Sequence, residues 1–180
     1  MLLIVGPLGG VDPVTAQVSA VARLGVSRTV PLENEFHDAG VGLGAGLVVG
    51  GRESRWAGRL EALVGTLQGV NHAALSGATL RMAAVHVGLQ RWLNDTSSFP
   101  LRPYVAAGVG LGGARYAGAE DVGILIPREI TPRFFLHLAV GADFRIAGAP
   151  MFVEVVSSRV FTGAIPIDFL RPTLGARIPL

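Results

Sequence analysis

The stretch from Leu101 to Tyr116, LRPYVAAGVGLGGARY, alternates apolar residues with glycine and alanine, and this alternation limits the possible folds strongly. Successive side chains of an extended strand point to opposite faces. One face of this strand would therefore carry Val105, Ala107, Val109 and Leu111, and the other would carry only alanine and glycine. Each glycine would also penalise a helix by up to about 1 kcal/mol relative to alanine. The stretch predicts a β-strand.

The same alternation recurs along the chain and predicts eight strands. They cover residues 17–30, 39–50, 55–67, 78–92, 101–116, 133–146, 151–161 and 168–180. The phase changes inside the fourth strand, and a β-bulge near Ala84 would reconcile its two halves. Turns at 51–54, 93–100 and 147–150 alternate with loops at 31–38, 68–77, 117–132 and 162–167. This order predicts an all-β fold, a closed antiparallel up-and-down barrel, in which residues 17–180 form one domain.

The hydropathy of the chain favours a barrel that crosses a membrane. The mean hydropathy is +0.50, yet the sequence has no run of the roughly 18 apolar residues that a transmembrane helix needs. A soluble barrel would need a second face rich in residues that suit water, whereas here that face is mostly glycine, alanine and serine. The apolar rows are therefore expected to face lipid and the small-residue rows to face a narrow interior, which an eight-stranded barrel just fills with side chains.

A few charged residues interrupt the predicted inward rows. They are Arg59, Glu61, Arg81, Asp143, Arg145, Glu154 and Arg177. At the middle of a bilayer each outward arginine would cost about 2 to 4 kcal/mol, whereas inward arginines and acids can pair. The expected role of this cluster is structural, as a packed ionic plug. A narrow water path lined by the same residues is the alternative.

Aromatic residues concentrate near the ends of the predicted strands. Membrane barrels carry two such girdles at their interfaces, so the following are predicted to be interfacial: Trp56, Trp92, Tyr104, Tyr116, Phe134, Phe144, Phe161 and Phe169. If the amino-terminal end of the barrel faces the periplasm, the longer connections become exterior loops, as is usual for membrane barrels.

Three segments resemble the eight-stranded outer-membrane β-barrels of Gram-negative-type bacteria, the class that includes the barrel of outer-membrane protein A. They are RPYVAAGVGLGGARY, FFLHLAVGADFRI and RPTLGARIPL, although the last ends in Leu180 where this family usually ends in an aromatic residue. The resemblance implies location in the bacterial outer membrane, membrane lipid and lipopolysaccharide as surroundings, and a structural, anchoring or surface-recognition role through loops 31–38, 68–77, 117–132 and 162–167. The oligomeric state stays open.

Two other functions stay open beside this one. Some barrels of the class are lipid-modifying hydrolases that use a serine and a histidine at the outer rim, which here would need His137 to meet Ser157 or Ser158 across neighbouring strands. A soluble, lipocalin-like ligand-binding barrel is the other. No catalytic residue is assigned to this chain, because an interior histidine that is satisfied by hydrogen bonds is the simpler interpretation of His86 and His137.

The remaining features point to no cofactor or metal. The chain has no cysteine, and its arginines are scattered instead of clustered, so no nucleic-acid partner is expected. The glycine repeats lack the lysine and the helix of a phosphate-binding loop. A loop metal site at His37 with Glu33, Glu35 and Asp38, or at His72, is weakly supported by its spacing. Residues 1–16 are expected to be a truncated signal peptide, or otherwise an amino-terminal extension.

Overall fold

A computed structural model describes residues 17–29, 39–50, 55–68, 79–94, 101–117, 132–161 and 167–180. The possible leader 1–16, the four predicted outer loops except at their edges, and the loop residues considered for a metal site lie outside these ranges. Within the described ranges there is no helix long and apolar enough to cross a membrane.

The eight predicted strands are confirmed, with bounds that differ from the predicted ones by two residues or fewer. They are β1 (Gln17–Thr29), β2 (Gly40–Gly50), β3 (Trp56–Gln68), β4 (Thr79–Trp92), β5 (Arg102–Ala117), β6 (Arg133–Ile146), β7 (Ala149–Val160) and β8 (Ile167–Pro179). Each strand pairs antiparallel with the next, and β8 pairs with β1 to close the barrel. The shortest strand has 11 residues, which is enough to cross a hydrocarbon layer when tilted, since about 9 to 11 are needed.

The two faces of each strand have opposite chemistry. The outer wall, meaning the outward side chains of all eight strands, is aliphatic: Leu138 and Val140 on β6 are 60% and 64% exposed. The inward side chains include all the buried charges, such as Glu61 at 1% exposed, together with small residues and packed apolar ones such as Leu67 and Phe135. A continuous exposed apolar surface of this kind suits hydrocarbon and not water, so the predicted assignment of sides is confirmed.

Two local predictions were wrong. The strand β4 has no bulge near Ala84, because its pairing with β3 and with β5 runs without a break. The turn between β6 and β7 is two residues and not four, since Ile146 already pairs with Ala149. Ala147 and Gly148 have φ of 49° and 85°, as the two central residues of the tightest hairpin turns require.

We call the end where β1 begins and β8 ends the lower end, and the other the upper end. The β6–β7 turn lies at the lower end.

Candidate functional site: the barrel interior

Four charged side chains meet inside the barrel and form what we call the central ion cluster: Arg23, Arg59, Glu61 and Glu154. They come from β1, β3 and β7, and their side chains are at most 3% exposed. Glu154 Oε1 accepts a hydrogen bond from Arg23 Nη1 at 2.6 Å, and its Oε2 accepts one from Arg59 Nη1 at 2.9 Å. Glu61 Oε1 accepts from Arg59 Nη2 at 2.9 Å and also pairs with Arg23. The two arginines thus bridge the two acids.

Two further side chains extend the central ion cluster. The Tyr104 hydroxyl donates to Glu154 Oε2 at 3.0 Å, and His86 Nε2 lies 3.0 Å from Glu61 Oε2. Tyr104 and His86 come from β5 and β4. Contacts therefore reach from β1 and β7 across the interior to β3, β4 and β5, so the cluster fixes non-adjacent strands relative to one another.

A second polar group lies towards the lower end. Asp143 accepts hydrogen bonds from Trp92 Nε1 at 2.7 Å and from Arg177 Nε at 2.8 Å. Arg177 Nη2 also donates to Gln90 Oε1 at 3.0 Å. The Arg177 guanidinium lies 5.3 Å from the centre of the Phe152 ring and 5.6 Å from that of Tyr104, within range of a cation–π attraction. This lower polar group, with Phe152 and Tyr104, connects to the central ion cluster.

Inward glycines leave the room that these long side chains occupy. A Cβ on Gly44 of β2 would lie 2.8 Å from Arg23 Cγ, and one on Gly46 would lie 2.6 Å from Glu61 Cγ. Likewise, a Cβ on Gly141 of β6 would lie 2.7 Å from the Tyr104 hydroxyl oxygen. The glycine rows that dominate the sequence are therefore complementary to the buried charges and aromatic rings on the strands that they face.

Most of the interior charges balance, and Arg171 on the inward row of β8 adds one more cation, whose Nε has no hydrogen-bond partner among the described residues. The central ion cluster has two arginines and two glutamates, and Arg177 is matched by Asp143. Removing ions from water is costly, and the cost is offset only by good geometry and full hydrogen bonding. Removing one partner of such a pair leaves an uncompensated buried charge, which costs about 3 to 5 kcal/mol. The interior is therefore suited to fixing the shape of the barrel, because the side chains of the central ion cluster bind one another.

Five of the seven charged residues that were predicted to lie inside do so: Arg59, Glu61, Asp143, Glu154 and Arg177. The prediction was wrong for Arg81, which is exposed on the outer face of β4, because without a bulge the alternation places Leu80 and Met82 inside. It was also wrong for Arg145, which is exposed at the lower end of β6 beside the turn.

The predicted aromatic girdles are formed only in part. Trp56, Phe134 and Phe161 are exposed, with the last two rings 5.9 Å apart, and Phe144 is half-buried on the outer row. The prediction was wrong for Trp92 and Tyr104, which are 6% and 0% exposed and bond to Asp143 and Glu154 inside. It was also wrong for Phe169, which is half-buried in the inward row and pairs with Thr29. The side chain of Tyr116 lies outside the described part.

Sequence reasoning missed Arg23 as a member of the cluster, although the alternation of β1 already placed it opposite Leu24 and Val26. Trp92, Tyr104 and Gln90 were missed for a similar reason. Each lies on the inward row of its strand, and the prediction for the two aromatics rested on nearness to a strand end alone. Because side chains alternate between the two faces of a strand, counting in steps of two from a residue known to face inward would have identified these residues as inward.

The two strand histidines lie inside the barrel, where they were expected. His86 and His137 are each 2% exposed, and their rings stack 4.3 Å apart at the centres. Neither ring nitrogen of His137 has a hydrogen-bond partner among the described residues, so the expected hydrogen bonding is absent there. Ser158 is in register with His137 on the inner face, and Ser157 faces outward. The outward His–Ser pair that a rim hydrolase requires is not formed in the described strands.

In the described part of the chain, no group of three or more histidine, aspartate or glutamate side chains could hold a metal ion. The loop residues around His37 and His72 lie outside it.

The barrel is similar to several solved structures. Neisserial surface protein A has a TM-score of 0.56 and 11% identity, with 92% of this chain and 97% of that chain covered. Ail of Yersinia pestis, solved with the heparin analogue sucrose octasulfate, has a TM-score of 0.51 and 12% identity over 91% and 97%. The amino-terminal barrel of Pseudomonas aeruginosa OprF has a TM-score of 0.50 and 10% identity over 91% and 100%.

No protein-family model and no curated protein matches the sequence. At these identities the similarity establishes the fold. The chain has the fold of the eight-stranded bacterial outer-membrane barrels, and that prediction is confirmed.

Proposed function

We propose that this protein is an integral outer-membrane barrel that serves as a structural anchor and displays its upper-end loops for surface recognition, with an interior closed to solutes. The observation that carries the proposal is the combination of two surfaces on the same strands. The outer wall exposes aliphatic side chains such as Val140 at 64%, and the interior holds a neutral ion cluster with side chains at most 3% exposed.

The contacts of the central ion cluster support a closed interior. Arg59 on β3 reaches Glu154 on β7 at 2.9 Å, and Arg23 on β1 reaches both acids. These side chains cross the barrel, and Tyr104 and Phe152, 0% and 1% exposed, fill the space below them. A solute would have to break several charge-assisted hydrogen bonds at once, each of which is worth about 1.5 to 3 kcal/mol.

Two considerations support recognition through the loops. The residues of the central ion cluster bind one another, and the outer wall suits lipid, so the loops are the best placed parts of the molecule to meet aqueous partners. Connecting segments on a rigid scaffold commonly carry binding. The recognition surface would be formed by loops 31–38, 68–77, 117–132 and 162–167, and the charged ones among them, 31–38 and 117–132, contain six acidic residues and one arginine. A polycation is therefore the first probe, and the heparin analogue with which the similar barrel Ail was solved serves as the probe of opposite charge.

The test combines two measurements on the purified chain. Boiled and unboiled detergent extracts should migrate differently on a gel, because a closed barrel stays folded without boiling. In planar lipid bilayers the folded protein should give no steady ionic conductance. Solubility in plain buffer with identical migration would overturn the membrane assignment, whereas a steady conductance in correctly folded protein would overturn only the closed interior.

Recognition by the loops has a separate readout. Vesicles that carry the folded chain should bind immobilised polylysine more strongly than vesicles that carry a variant whose acidic loops 31–38 and 117–132 are replaced by short glycine–serine linkers. Equal binding of the two barrels would remove the support for recognition through these loops.

A further inference from the structure

The closing pair of strands, β1 and β8, is interrupted near its upper end. Their pairing runs from Ser19–Pro179 to Gly25–Thr173 and resumes at Arg28–Leu170. The gap lies opposite Pro172, which has no N–H to donate to a neighbouring strand. The pairing of β7 with β8 continues through Pro172 and Arg171. Among the strand pairings that the structure describes, only this one contains an internal gap.

A groove opens on the outer wall at this gap, and we call it the seam groove. Its volume is about 370 Å³. Its sides are formed by outward aliphatic residues of four neighbouring strands: Leu24, Val26, Val41, Val153, Pro172 and Leu174. Gly25 and Thr173 complete the lining. The groove is therefore an open, concave and almost wholly apolar feature of the outer wall.

A positive charge stands directly above the seam groove. Arg28 is the next outward residue of β1 after Val26, about 6 to 7 Å further towards the upper end at the usual rise of a strand. It is exposed, and no hydrogen bond or ion pair joins it to another described residue. On β8 the outward residues below Asp168 are apolar, so Arg28 stands at the upper edge of the apolar band, at the depth of lipid headgroups.

We propose that the seam groove holds one acyl chain of a lipid A molecule while Arg28 binds a phosphate of its headgroup. The guanidinium fork matches phosphate in geometry and charge, and the aliphatic lining matches a hydrocarbon chain. The choice of lipid A over an inner-leaflet phospholipid rests on the proposed function, which places the upper end in the outer leaflet. A second copy of the chain fits less well, because a stable protein interface needs about 1,000 Å² and a narrow groove offers much less.

The chain provides a matched control on the opposite wall. Arg81 is also an exposed outward arginine near the upper end, but it lies on β4, away from the seam groove. Val41 lines the groove and Val85 on β4 does not, although they are similarly exposed at 58% and 54%. The variants Arg28→Gln and Arg81→Gln therefore form one pair, and Val41→Phe and Val85→Phe form another.

The test measures lipids retained by the purified, folded barrel in native mass spectrometry. The probes are lipid A, its dephosphorylated form and phosphatidic acid. We expect Arg28→Gln to weaken the binding of lipid A about tenfold, as the loss of a charge-assisted hydrogen bond predicts, and Arg81→Gln to leave it within twofold. The dephosphorylated form should not distinguish the wild type from Arg28→Gln. Val41→Phe should weaken both lipid A forms, and Val85→Phe neither.

Equal effects of the two arginine variants, or of the two phenylalanine variants, would overturn the site. Arg28-dependent retention of phosphatidic acid without retention of lipid A would overturn the assignment of the lipid. Each variant is first shown to migrate as a folded barrel on an unboiled gel. One outcome is that the wild type passes that gel test and enters vesicles while the variants show none of the expected changes in lipid binding. In that case only the proposed lipid site is refuted, because the gel and the vesicles test the membrane barrel independently.

Discussion

The inner and outer faces of the barrel belong to the same eight strands, yet their ion pairs lie in opposite environments, one buried and the other exposed. Inside, Arg59 and Glu154 lie 2.9 Å apart with side chains at most 3% exposed. Outside, Arg159 and Asp168 pair at 2.7 Å with side chains 53% and 34% exposed. The distances are similar but the surroundings differ. Solvent already screens the outer pair, whereas no solvent can replace a partner that an inner ion loses. Loss of the contact should therefore lower the stability far more inside.

The largest effect is expected from Glu154→Gln, which keeps the shape of the side chain and removes its charge. Arg23, Arg59 and Tyr104 all donate to this carboxylate. The free energy of unfolding should fall by about 3 to 5 kcal/mol, because two buried guanidinium groups lose a counter-charge. Urea unfolding of the barrel in lipid vesicles, followed by tryptophan fluorescence, measures the change.

The control for that variant is Asp168→Asn, which removes the charge of the exposed pair. Its unfolding midpoint should stay within the error of the wild type. If the two variants lose the same stability, the contrast between the buried and the exposed pairs is refuted.

A charge placed on the outer wall should cost nearly as much. Val140 lies at the middle of the outward row of β6 and is 64% exposed. Val140→Arg should lower the stability in vesicles by about 2 to 4 kcal/mol, the cost of an arginine at the bilayer midplane. Val140→Leu should be close to neutral in the same urea titration. An arginine that is tolerated as well as leucine would indicate that this wall does not contact hydrocarbon.

A smaller effect should distinguish inward from outward glycines. A Cβ on Gly44 would clash with Leu63 Cδ2 and lie 2.8 Å from Arg23 Cγ, whereas one on Gly58 would meet its nearest atom, the Val49 carbonyl oxygen, at 3.9 Å. Gly44→Ala should therefore cost about 1 to 3 kcal/mol through overpacking. Gly58→Ala should cost less in the same assay. The reverse order would mean that Gly44 does not make room for the inward side chains of Leu63 and Arg23.

The strands and the faces of the barrel could be predicted from the sequence because alternation is a local property. A row such as Leu136, Leu138 and Val140 identifies its own face without knowledge of the other strands. The error at Arg81 shows the limit of this reasoning: the apolar residues Leu80 and Met82 lie inside, next to Leu63 and Leu67 on β3, so hydrophobicity gave the wrong phase there.

The partners inside the barrel could not be predicted in the same way. Trp92 is held by Asp143, which is 51 residues away, and Tyr104 by Glu154, which is 50 residues away. These contacts join β4 to β6 and β5 to β7, so they depend on the registers of several strands, which single strands do not reveal. An aromatic side chain near a strand end can lie either at the lipid interface or inside the barrel. A hydrogen-bond partner inside the barrel for the Trp N–H or the Tyr O–H favours the inner position.

Fluorescence of the two tryptophans distinguishes the inner from the outer position directly, by a readout that does not depend on the stability of the variants. The chain contains only Trp56 and Trp92, one 51% exposed on the outer wall and the other 6% exposed inside. Brominated lipids quench fluorophores that they touch. In Trp92→Phe, the remaining Trp56 should therefore be quenched strongly in vesicles of brominated lipid, whereas in Trp56→Phe the remaining Trp92 should be nearly unaffected. Equal quenching would place both rings at the lipid interface, and the hydrogen bond from Trp92 to Asp143 would then have to be abandoned together with the lower polar group.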